Sequence, residues 1–251
     1  MNKLLEFKNV SLTYQTPTDE IHAIDKLSFN CSDGEFLSII GPSGCGKTSI
    51  LSLIAGLISP TSGKILIDGQ SNISNNSLGY MLQKDQLFPW RTIEKNIYLP
   101  LEIKHILNDK NKEYANLLLD KYGLTDFKNK YPDQLSGGMR QRVALIRTLV
   151  FNPKLLLLDE PFSALDAQTR LSVCDDVYKI IKAEQKTAVL VTHDISEAIS
   201  MSDKIIVLTT RPAQVKCIFR PNLKSDSPIK KREDKDFGVL FEKIWRELTY
   251  D

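Results

Sequence analysis

The strongest chemical pattern in the sequence is a glycine-rich loop, Gly41-Pro42-Ser43-Gly44-Cys45-Gly46-Lys47-Thr48. It fits the pattern Gly-x4-Gly-Lys-[Ser/Thr], and it lies between an apolar run that predicts a strand and helical spacing that begins at Lys47. Glycines let backbone N–H groups surround phosphate oxygens, and the N-terminus of the following helix adds positive potential. Lys47 is then expected to reach the β- and γ-phosphates, and Thr48 offers a hydroxyl to Mg²⁺. The segment predicts a phosphate site.

Two adjacent carboxylates follow another strongly apolar run. Leu155 to Leu158 predicts a buried strand, and Asp159 and Glu160 stand at its carboxyl end, where open parallel sheets bind ligands. Asp159 is suited to holding Mg²⁺ through water, and Glu160 to orienting and polarising the attacking water, because phosphoryl transfer depends on positioning and charge stabilisation. Adjacent acids at a strand end are often only solvated turn residues. The phosphate loop favours the catalytic interpretation.

A third polar group is expected at the same edge of the sheet. The apolar run Ala188 to Val191 ends in Thr192-His193-Asp194, which places His193 where it could contact the γ-phosphate and the attacking water. A single histidine after a strand is often structural. Its position beside the phosphate loop and the two acids favours a role in the site.

The phosphate loop, the two acids and His193 can form one site only if the strands that precede them end at the same edge of a sheet. A helical stretch from about Ala167 to Ala183 separates two apolar strands, a βαβ pattern that implies a parallel sheet. Alternating apolar residues near the N-terminus predict further strands, and Ile205 to Leu208 predicts one more. From about Ile93 to Leu149 the spacing is mostly helical, with an interruption around Asn108 to Asn111. The sequence therefore predicts an α/β protein with a helical lobe.

Composition excludes several classes of protein. The 251 residues include 33 basic and 31 acidic side chains, so no global charge favours nucleic acid or an anionic membrane surface as a partner. Four scattered cysteines without Cys-x-x-Cys pairing argue against a zinc site or a disulfide framework, and they fit a reducing cytosol. No apolar run approaches the roughly 18 residues of a membrane helix. A role at a membrane would therefore require docking.

A further pattern narrows the class: Leu135-Ser136-Gly137-Gly138-Met139-Arg140-Gln141-Arg142, which precedes an amphipathic helix. Ser136 and the glycines offer a hydroxyl and backbone N–H groups at that helix N-terminus, a second position suited to an anion. The run resembles the signature of the ABC ATPase family. The order of phosphate loop, Gln83, signature, Asp159-Glu160, Ala164-Leu165-Asp166 and His193 resembles that family over about residues 4 to 210.

The resemblance implies a P-loop NTPase core with a mostly parallel sheet, an antiparallel β subdomain and an inserted helical lobe. It also implies ATP and Mg²⁺ as cofactors and ATP hydrolysis as the reaction. The implied nucleotide contacts are Tyr14, Gly41, Pro42, Ser43, Gly44, Cys45, Gly46, Lys47, Thr48 and Ser49 on one side and Ser136, Gly137, Gly138 and Asp166 on the other. In the family the second side comes from another subunit, so two chains clamp two ATPs head to tail.

Residue roles follow from the same resemblance. The implied catalytic set is Lys47, Gln83, Glu160 and His193, and the implied Mg²⁺ set is Thr48, Gln83 and Asp159. Gln83 would join the phosphate site to the helical lobe, and Tyr14 would stack on adenine. An exposed loop glutamine and a tyrosine that only packs in its strand are the open alternatives.

The segment Leu87-Phe88-Pro89-Trp90-Arg91-Thr92-Ile93 resembles importers of nitrate, sulfonate, taurine and related solutes. It would suit a groove that receives a short helix of an integral membrane permease, although Trp90 could merely pack the lobe. The expected location is the cytoplasmic side of the cell membrane, docked on permease subunits and linked through them to a solute-binding protein. The second ATPase subunit is expected to be an identical copy, and no nucleic-acid partner is expected.

Three alternatives stay open: an exporter ATPase, a soluble ABC ATPase acting on nucleic acid or ribosomes, and a small-molecule kinase. Only 111 residues lie between Lys47 and Asp159, too few for the long coiled coil of DNA-repair relatives. A kinase would leave the signature unexplained.

The expected organisation is a single ATPase domain over residues 1–215, with a nucleotide-binding core (1–85 and 154–215) and a helical lobe (86–153). A C-terminal extension (216–251) follows, in which Lys230 to Asp236 is expected to be a solvated linker.

Overall fold

A computed structural model describes residues 2–71, 78–225 and 227–249. The strands are β1 (Lys3–Gln15), β2 (Glu20–Ser32), β3 (Phe36–Ile40), β4 (Ser62–Ile67), β5 (Leu78–Met81), β6 (Leu155–Asp159), β7 (Thr187–Val191), β8 (Lys204–Leu208) and β9 (Val215–Phe219). The helices are α1 (Lys47–Ile54), α2 (Ile93–Ile103), α3 (Asp109–Lys121), α4 (Gly137–Leu149), α5 (Ala167–Ala183), α6 (Ile195–Met201), α7 (Pro228–Lys231) and α8 (Lys235–Thr249).

One sheet is antiparallel and has the order β2-β1-β4. Leu5, Phe7, Val10 and Leu12 of β1 are buried, whereas residues between them are partly or fully exposed, as expected for a sheet with one covered face. Phe7 stacks on Phe29 of β2 with ring centroids 4.4 Å apart. This sheet forms the predicted antiparallel β subdomain.

The larger sheet has the order β5-β6-β7-β3-β8-β9, and every pair is parallel except β8 with β9. All residues of β3, β7 and β8 are buried, because helices and the antiparallel sheet cover both faces. The carboxyl ends of β6, β7, β3 and β8 therefore share one edge, from which the loops at residues 41–46, 160–166, 192–194 and 209–214 emerge.

The helices α2, α3 and α4 form the predicted helical lobe. Their buried apolar side chains belong to one continuous cluster with side chains of the large sheet such as Leu156, Leu158 and Leu190. The lobe is thus packed onto the core rather than separated from it. The predicted fold class, α/β with a mostly parallel sheet and an inserted helical lobe, is confirmed by this architecture and by the similarity of the chain to solved structures reported below.

Several local expectations differ from the structure. The strand β9 crosses the expected limit at residue 215 and pairs with β8, so the first residues of the C-terminal extension belong to the large sheet. The stretch Lys230 to Asp236 is not a solvated linker throughout, because Lys231 ends α7 and is buried. The Lys231 Nζ atom lies 4.6 Å from the Tyr178 ring centroid, and the apolar stem of the side chain allows this burial. Residue Asn108, expected in an interruption, caps α3 by accepting a hydrogen bond from the backbone of Asn111.

Candidate active site

The phosphate loop joins β3 to α1 and lines an open cleft of about 300 Å³. Gly46 caps α1 with φ of 113°, a left-handed conformation that glycine adopts without steric cost. Lys47 is buried, and its Nζ atom donates to the backbone oxygens of Gly41 (2.8 Å) and Pro42 (2.9 Å). The cleft is lined by Ser43, Gly44, Gly46, Lys47, Thr48, Ser49, Glu160 and Arg211. Glycine backbone, a helix N-terminus and two cations together form an anion-binding surface.

Asp159 ends β6 beside this loop. Burial raises the pKa of its carboxyl group and adjacent Glu160 adds to that rise, while the Tyr80 hydroxyl and Lys47 oppose it. The Tyr80 hydroxyl donates to Asp159 Oδ2 at 3.3 Å. A carboxylate held in this way would be stabilised by a nearby divalent cation.

Glu160 lies next to His193, as the strand-end argument predicted. The His193 Nδ1 and Glu160 Oε2 atoms are 3.1 Å apart, and Glu160 lines the phosphate cleft. Glu160 has φ of 44°, a left-handed conformation that costs a non-glycine residue about 1 to 2 kcal/mol. Its backbone is fixed by bonds from Glu160 N to the Val191 oxygen (2.8 Å) and from the Ser163 hydroxyl to the Glu160 oxygen (2.9 Å). Backbone strain of this kind is common at functional sites.

Two residues assigned by resemblance lie near the cleft. The Tyr14 hydroxyl donates to Ser49 Oγ at 3.0 Å, and the side chain is exposed, so its ring is accessible beside α1. The Gln83 amide nitrogen donates to Ser163 Oγ at 3.3 Å, and Ser163 in turn holds the backbone of Glu160. Gln83 is therefore connected to the Glu160 loop through one hydroxyl.

The signature residues line a different cavity, of about 450 Å³. Ser136 caps α4 by accepting from Met139 N (3.3 Å), and Asp166 caps α5 by accepting from Thr169 N (3.0 Å). Both helix N-termini open onto this cavity, whose lining is Lys84, Asp85, Ser136, Gly137, Arg140, Gln141, Ala164, Leu165, Asp166 and Thr169. None of these residues lines the phosphate cleft, so the structure does not bring the two predicted phosphate poles together within one chain.

The segment that follows Gln83 presents an aromatic surface. Trp90 is 70% exposed and stacks on Phe88 with ring centroids 5.0 Å apart, which excludes the alternative that Trp90 merely packs the lobe. The buried Asn96 side chain fixes this loop by accepting from Phe88 N (2.7 Å) and donating to the backbone oxygens of Phe88, Arg91 and Thr92. An apolar groove along the C-terminal part of α2 includes Leu99, Pro100 and Phe151, and it is also lined by Arg147, which donates to the backbone oxygens of Asp85 and Gln86.

Three residues at or near the site were not predicted from the sequence: Tyr80, Arg211 and Glu197. Arg211 follows β8, which is the parallel neighbour of β3, so the strand-end rule could have found it. Glu197 is buried in α6 and accepts a hydrogen bond from the Thr192 hydroxyl at 2.6 Å. No sequence pattern indicated that contact.

The donor set around the cleft fits Mg²⁺. Among the described residues no cluster of three or more His, Cys, Asp or Glu side chains could hold a metal ion. Mg²⁺ in nucleotide sites does not need one, because it keeps several waters and takes one or two protein oxygens together with phosphate oxygens. The hydroxyl of Thr48 in the cleft and the carboxylate of Asp159 at its side are such oxygens.

Comparison with known proteins identifies close relatives. Residues 24–163 match the family model described as ABC transporter. The chain is 49% identical over 248 residues to the uncharacterized ABC transporter ATP-binding protein YtlC of Bacillus subtilis (strain 168), covering 98% of this chain and 95% of that protein. It is 37% identical over 248 residues to the aliphatic sulfonates import ATP-binding protein SsuB of Bacillus thuringiensis subsp. konkukian (strain 97-27), with coverage of 98% and 96%.

The chain is also similar to solved structures of ATP-binding cassettes. The chain superposes on the dimeric post-hydrolysis state of the ATP-binding cassette MJ0796 bound to ADP and Pi with a TM-score of 0.73 and 33% identity, covering 87% of this chain and 99% of that one. It superposes on cbiO1 of Clostridium perfringens, part of the ABC transporter complex cbiONQ, with a TM-score of 0.77 and 25% identity, covering 88% and 90%. In the described ranges, no helix is both long and apolar enough to cross a membrane.

Proposed function

This chain belongs to the ABC transporter family as an ATP-binding, ATP-hydrolysing subunit, and from that premise we propose that it powers solute import as one half of a head-to-tail dimer. The observation that supports a dimer is that the phosphate-loop residues and the signature residues line two separate cavities of one chain. Lys47 and Glu160 line one cleft, and Ser136 and Asp166 line another. A second copy placed head to tail would bring the signature of each chain to the phosphate loop of the other.

Within this proposal the chain's own groups divide the chemistry. The phosphate loop and Lys47 bind the phosphates, and Tyr14 supports the adenine ring. Glu160 accepts a proton from the attacking water, and His193, 3.1 Å from Glu160, orients that water and the γ-phosphate. Thr48, Asp159 and Gln83 would hold Mg²⁺, which when bound neutralises charge on the phosphates.

The proposed coupling to transport follows from binding energy. ATP between two copies stabilises the closed dimer, and hydrolysis removes the phosphate that bridges them. The exposed Trp90 would then contact a short helix of a permease, and the groove along α2 would extend this surface. The buried Asn96 holds the Trp90 loop in place for such a contact. The protein would thus act at the cytoplasmic face of a membrane.

The direction of transport and the class of solute are part of the proposal. The relative SsuB is an aliphatic sulfonates import ATP-binding protein and is aligned over 98% of this chain, which supports import of a small solute of the nitrate, sulfonate or taurine type. An exporter ATPase is the alternative. Reconstitution in lipid with a candidate permease decides between them, because an importer's ATPase activity should rise with a loaded solute-binding protein, whereas an exporter's should not.

The dimer is tested by Glu160→Gln. We expect this variant to bind ATP, to lose nearly all turnover and to run as a dimer in size-exclusion chromatography with ATP. The glutamine cannot accept the proton from water, while both phosphate poles persist. Glu113→Gln, on the exposed surface of α3, is the matched control. A monomeric Glu160→Gln variant that turns ATP over at the normal rate would contradict the proposal.

A further inference from the structure

A basic side chain outside the phosphate loop lines the same cleft as Lys47. Arg211 lies in the loop that joins β8 to β9, and its Nη2 atom donates to the backbone oxygen of Gly44 at 2.8 Å. It shares the cleft with Thr48 and Glu160. The proposed roles above make no use of it.

The loop that carries Arg211 is anchored on both sides. Thr209 N donates to the Gln214 oxygen (3.0 Å), and Gln214 N donates to the Thr209 hydroxyl (2.9 Å). Ala213 N donates to the Ala23 oxygen (2.9 Å), and Asp25 N donates to the Ala213 oxygen (3.1 Å), so the loop is attached to β2 of the antiparallel sheet. The backbone of Arg211 is therefore positioned before any ligand binds.

The positive charge of Arg211 acts electrostatically on a residue inside the phosphate loop, Cys45. Burial raises the pKa of the Cys45 thiol, and Lys47 and Arg211 both oppose that rise by favouring the thiolate. Lys47 and Arg211 therefore both make the electrostatic potential in the phosphate cleft more positive. Glu160 adds a negative charge to the same cleft, so a second cation offsets the repulsion that a phosphate chain would otherwise meet there.

The chemistry of the side chain suits phosphate. A guanidinium group is planar, stays protonated and has five N–H donors that match phosphate oxygens in pairs. The bond to Gly44 engages one of the two terminal nitrogens and sets the orientation of the plane. We propose that Arg211 is a nucleotide-binding residue that contacts the phosphate chain directly while it holds Gly44 in the phosphate loop. This inference rests on the proposed function in requiring that a nucleotide occupies the cleft.

The test measures the dissociation constants of fluorescent ATP and ADP analogues with Mg²⁺, for the wild-type chain, Arg211→Gln and Arg211→Lys. We expect Arg211→Gln to bind about tenfold more weakly, which corresponds to about 1.4 kcal/mol. Arg211→Lys should bind within about threefold of wild type. A Lys side chain keeps the positive charge, which retains most of the affinity, but it lacks the paired donors, which accounts for the remaining loss. Arg220→Gln is the control, since Arg220 is exposed, pairs with Glu35 at 3.4 Å and does not line the phosphate cleft.

A second readout separates phosphate contact from support of the loop. Loss of a charge contact should make the dissociation constant of Arg211→Gln less dependent on salt than that of wild type, whereas loss of loop support alone would leave the salt dependence unchanged. Thermal melts verify that the variants fold. Binding by Arg211→Gln within twofold of wild type, or equal weakening in both variants with unchanged salt dependence, would overturn the inference. Failure of the wild-type chain to bind nucleotide would instead overturn the proposed function.

Discussion

The carboxyl group of Glu197 is buried in α6, where it accepts a hydrogen bond from the Thr192 hydroxyl, and its ionisation should be visible in the stability of the protein. Only 3% of this residue is exposed, and burial raises the pKa of its carboxyl from 4.5 to about 7. Asp194 adds to that rise, whereas the Thr192 hydroxyl, Arg170 and His193 oppose it. The folded protein therefore favours the protonated acid.

The sign and size of the effect follow from this shift. Because the folded pKa lies above the unfolded pKa, the contribution of Glu197 to stability is complete below pH 4.5 and is lost as the pH rises towards 7. A rise from 4.5 to about 7, at about 1.4 kcal/mol per pH unit, amounts to about 3 kcal/mol in all. Between pH 5 and pH 8 the loss should be about 2.5 kcal/mol.

The perturbation is Glu197→Gln, which keeps an oxygen for the Thr192 hydroxyl and removes the titration. The free energy of unfolding is measured in urea at pH 5 and pH 8 for wild type, Glu197→Gln and the exposed control Glu113→Gln. The advantage of Glu197→Gln over wild type should grow by about 2.5 kcal/mol from pH 5 to pH 8, and that of the control should not change. A difference that is constant with pH would refute a raised pKa at Glu197.

Two further predictions concern the signature and the antiparallel sheet. Ser136→Arg should abolish hydrolysis, because in the proposed dimer Ser136 contacts the nucleotide held by the other copy. Nucleotide binding by the monomer should be unchanged, because Ser136 and Lys47 line different cavities. Titration of the monomer with a fluorescent nucleotide tests this. Weakened binding would mean that Ser136 contributes to the same nucleotide site as Lys47, against the proposal. Gly63→Ala should lower the free energy of unfolding by about 2 to 4 kcal/mol, since its φ is 84° and an added Cβ would lie 2.2 Å from the Asn9 oxygen. Gly34→Ala, with φ of 74° and no atom within 4 Å of an added Cβ, should cost about 1 kcal/mol, and equal urea midpoints for the two variants would disprove the close contact.

Strands buried on both faces were predictable from the sequence, whereas the two edge strands of the large sheet were not. The strands β3, β6 and β7 have continuous apolar runs because helices or a second sheet cover each face. The edge strands β5 and β9 of the large sheet are only partly buried, so neither has a long continuous apolar run. Lys231 was misjudged for a related reason: a run of charges indicates solvent, but the Lys231 Nζ atom lies over the Tyr178 ring and the residue is buried.

The same contrast applies to the site. The end of a parallel strand is a local feature, so the sequence indicated Asp159, Glu160 and His193. The partners of these residues come from distant parts of the chain. Tyr80 contacts Asp159 across 79 positions, and Arg211 contacts Gly44 across 167. Such contacts depend on strand order, which a single sequence does not specify.

The helix α4 connects the two surfaces that the proposed function needs. Its first residues follow Ser136, which faces the signature cavity. Its arginines hold the segment after Gln83: Arg140 Nε pairs with Asp85 Oδ2 at 3.0 Å, and Arg147 donates to the backbone oxygens of Asp85 (2.6 Å) and Gln86 (2.7 Å). Burial lowers the pKa of Arg147, and Asp85 opposes that change. The loop that presents Trp90 begins directly after this segment. One helix therefore begins at the signature cavity and also holds the segment that precedes Trp90, so it links the two surfaces that the proposed function assigns to a second copy and to a permease.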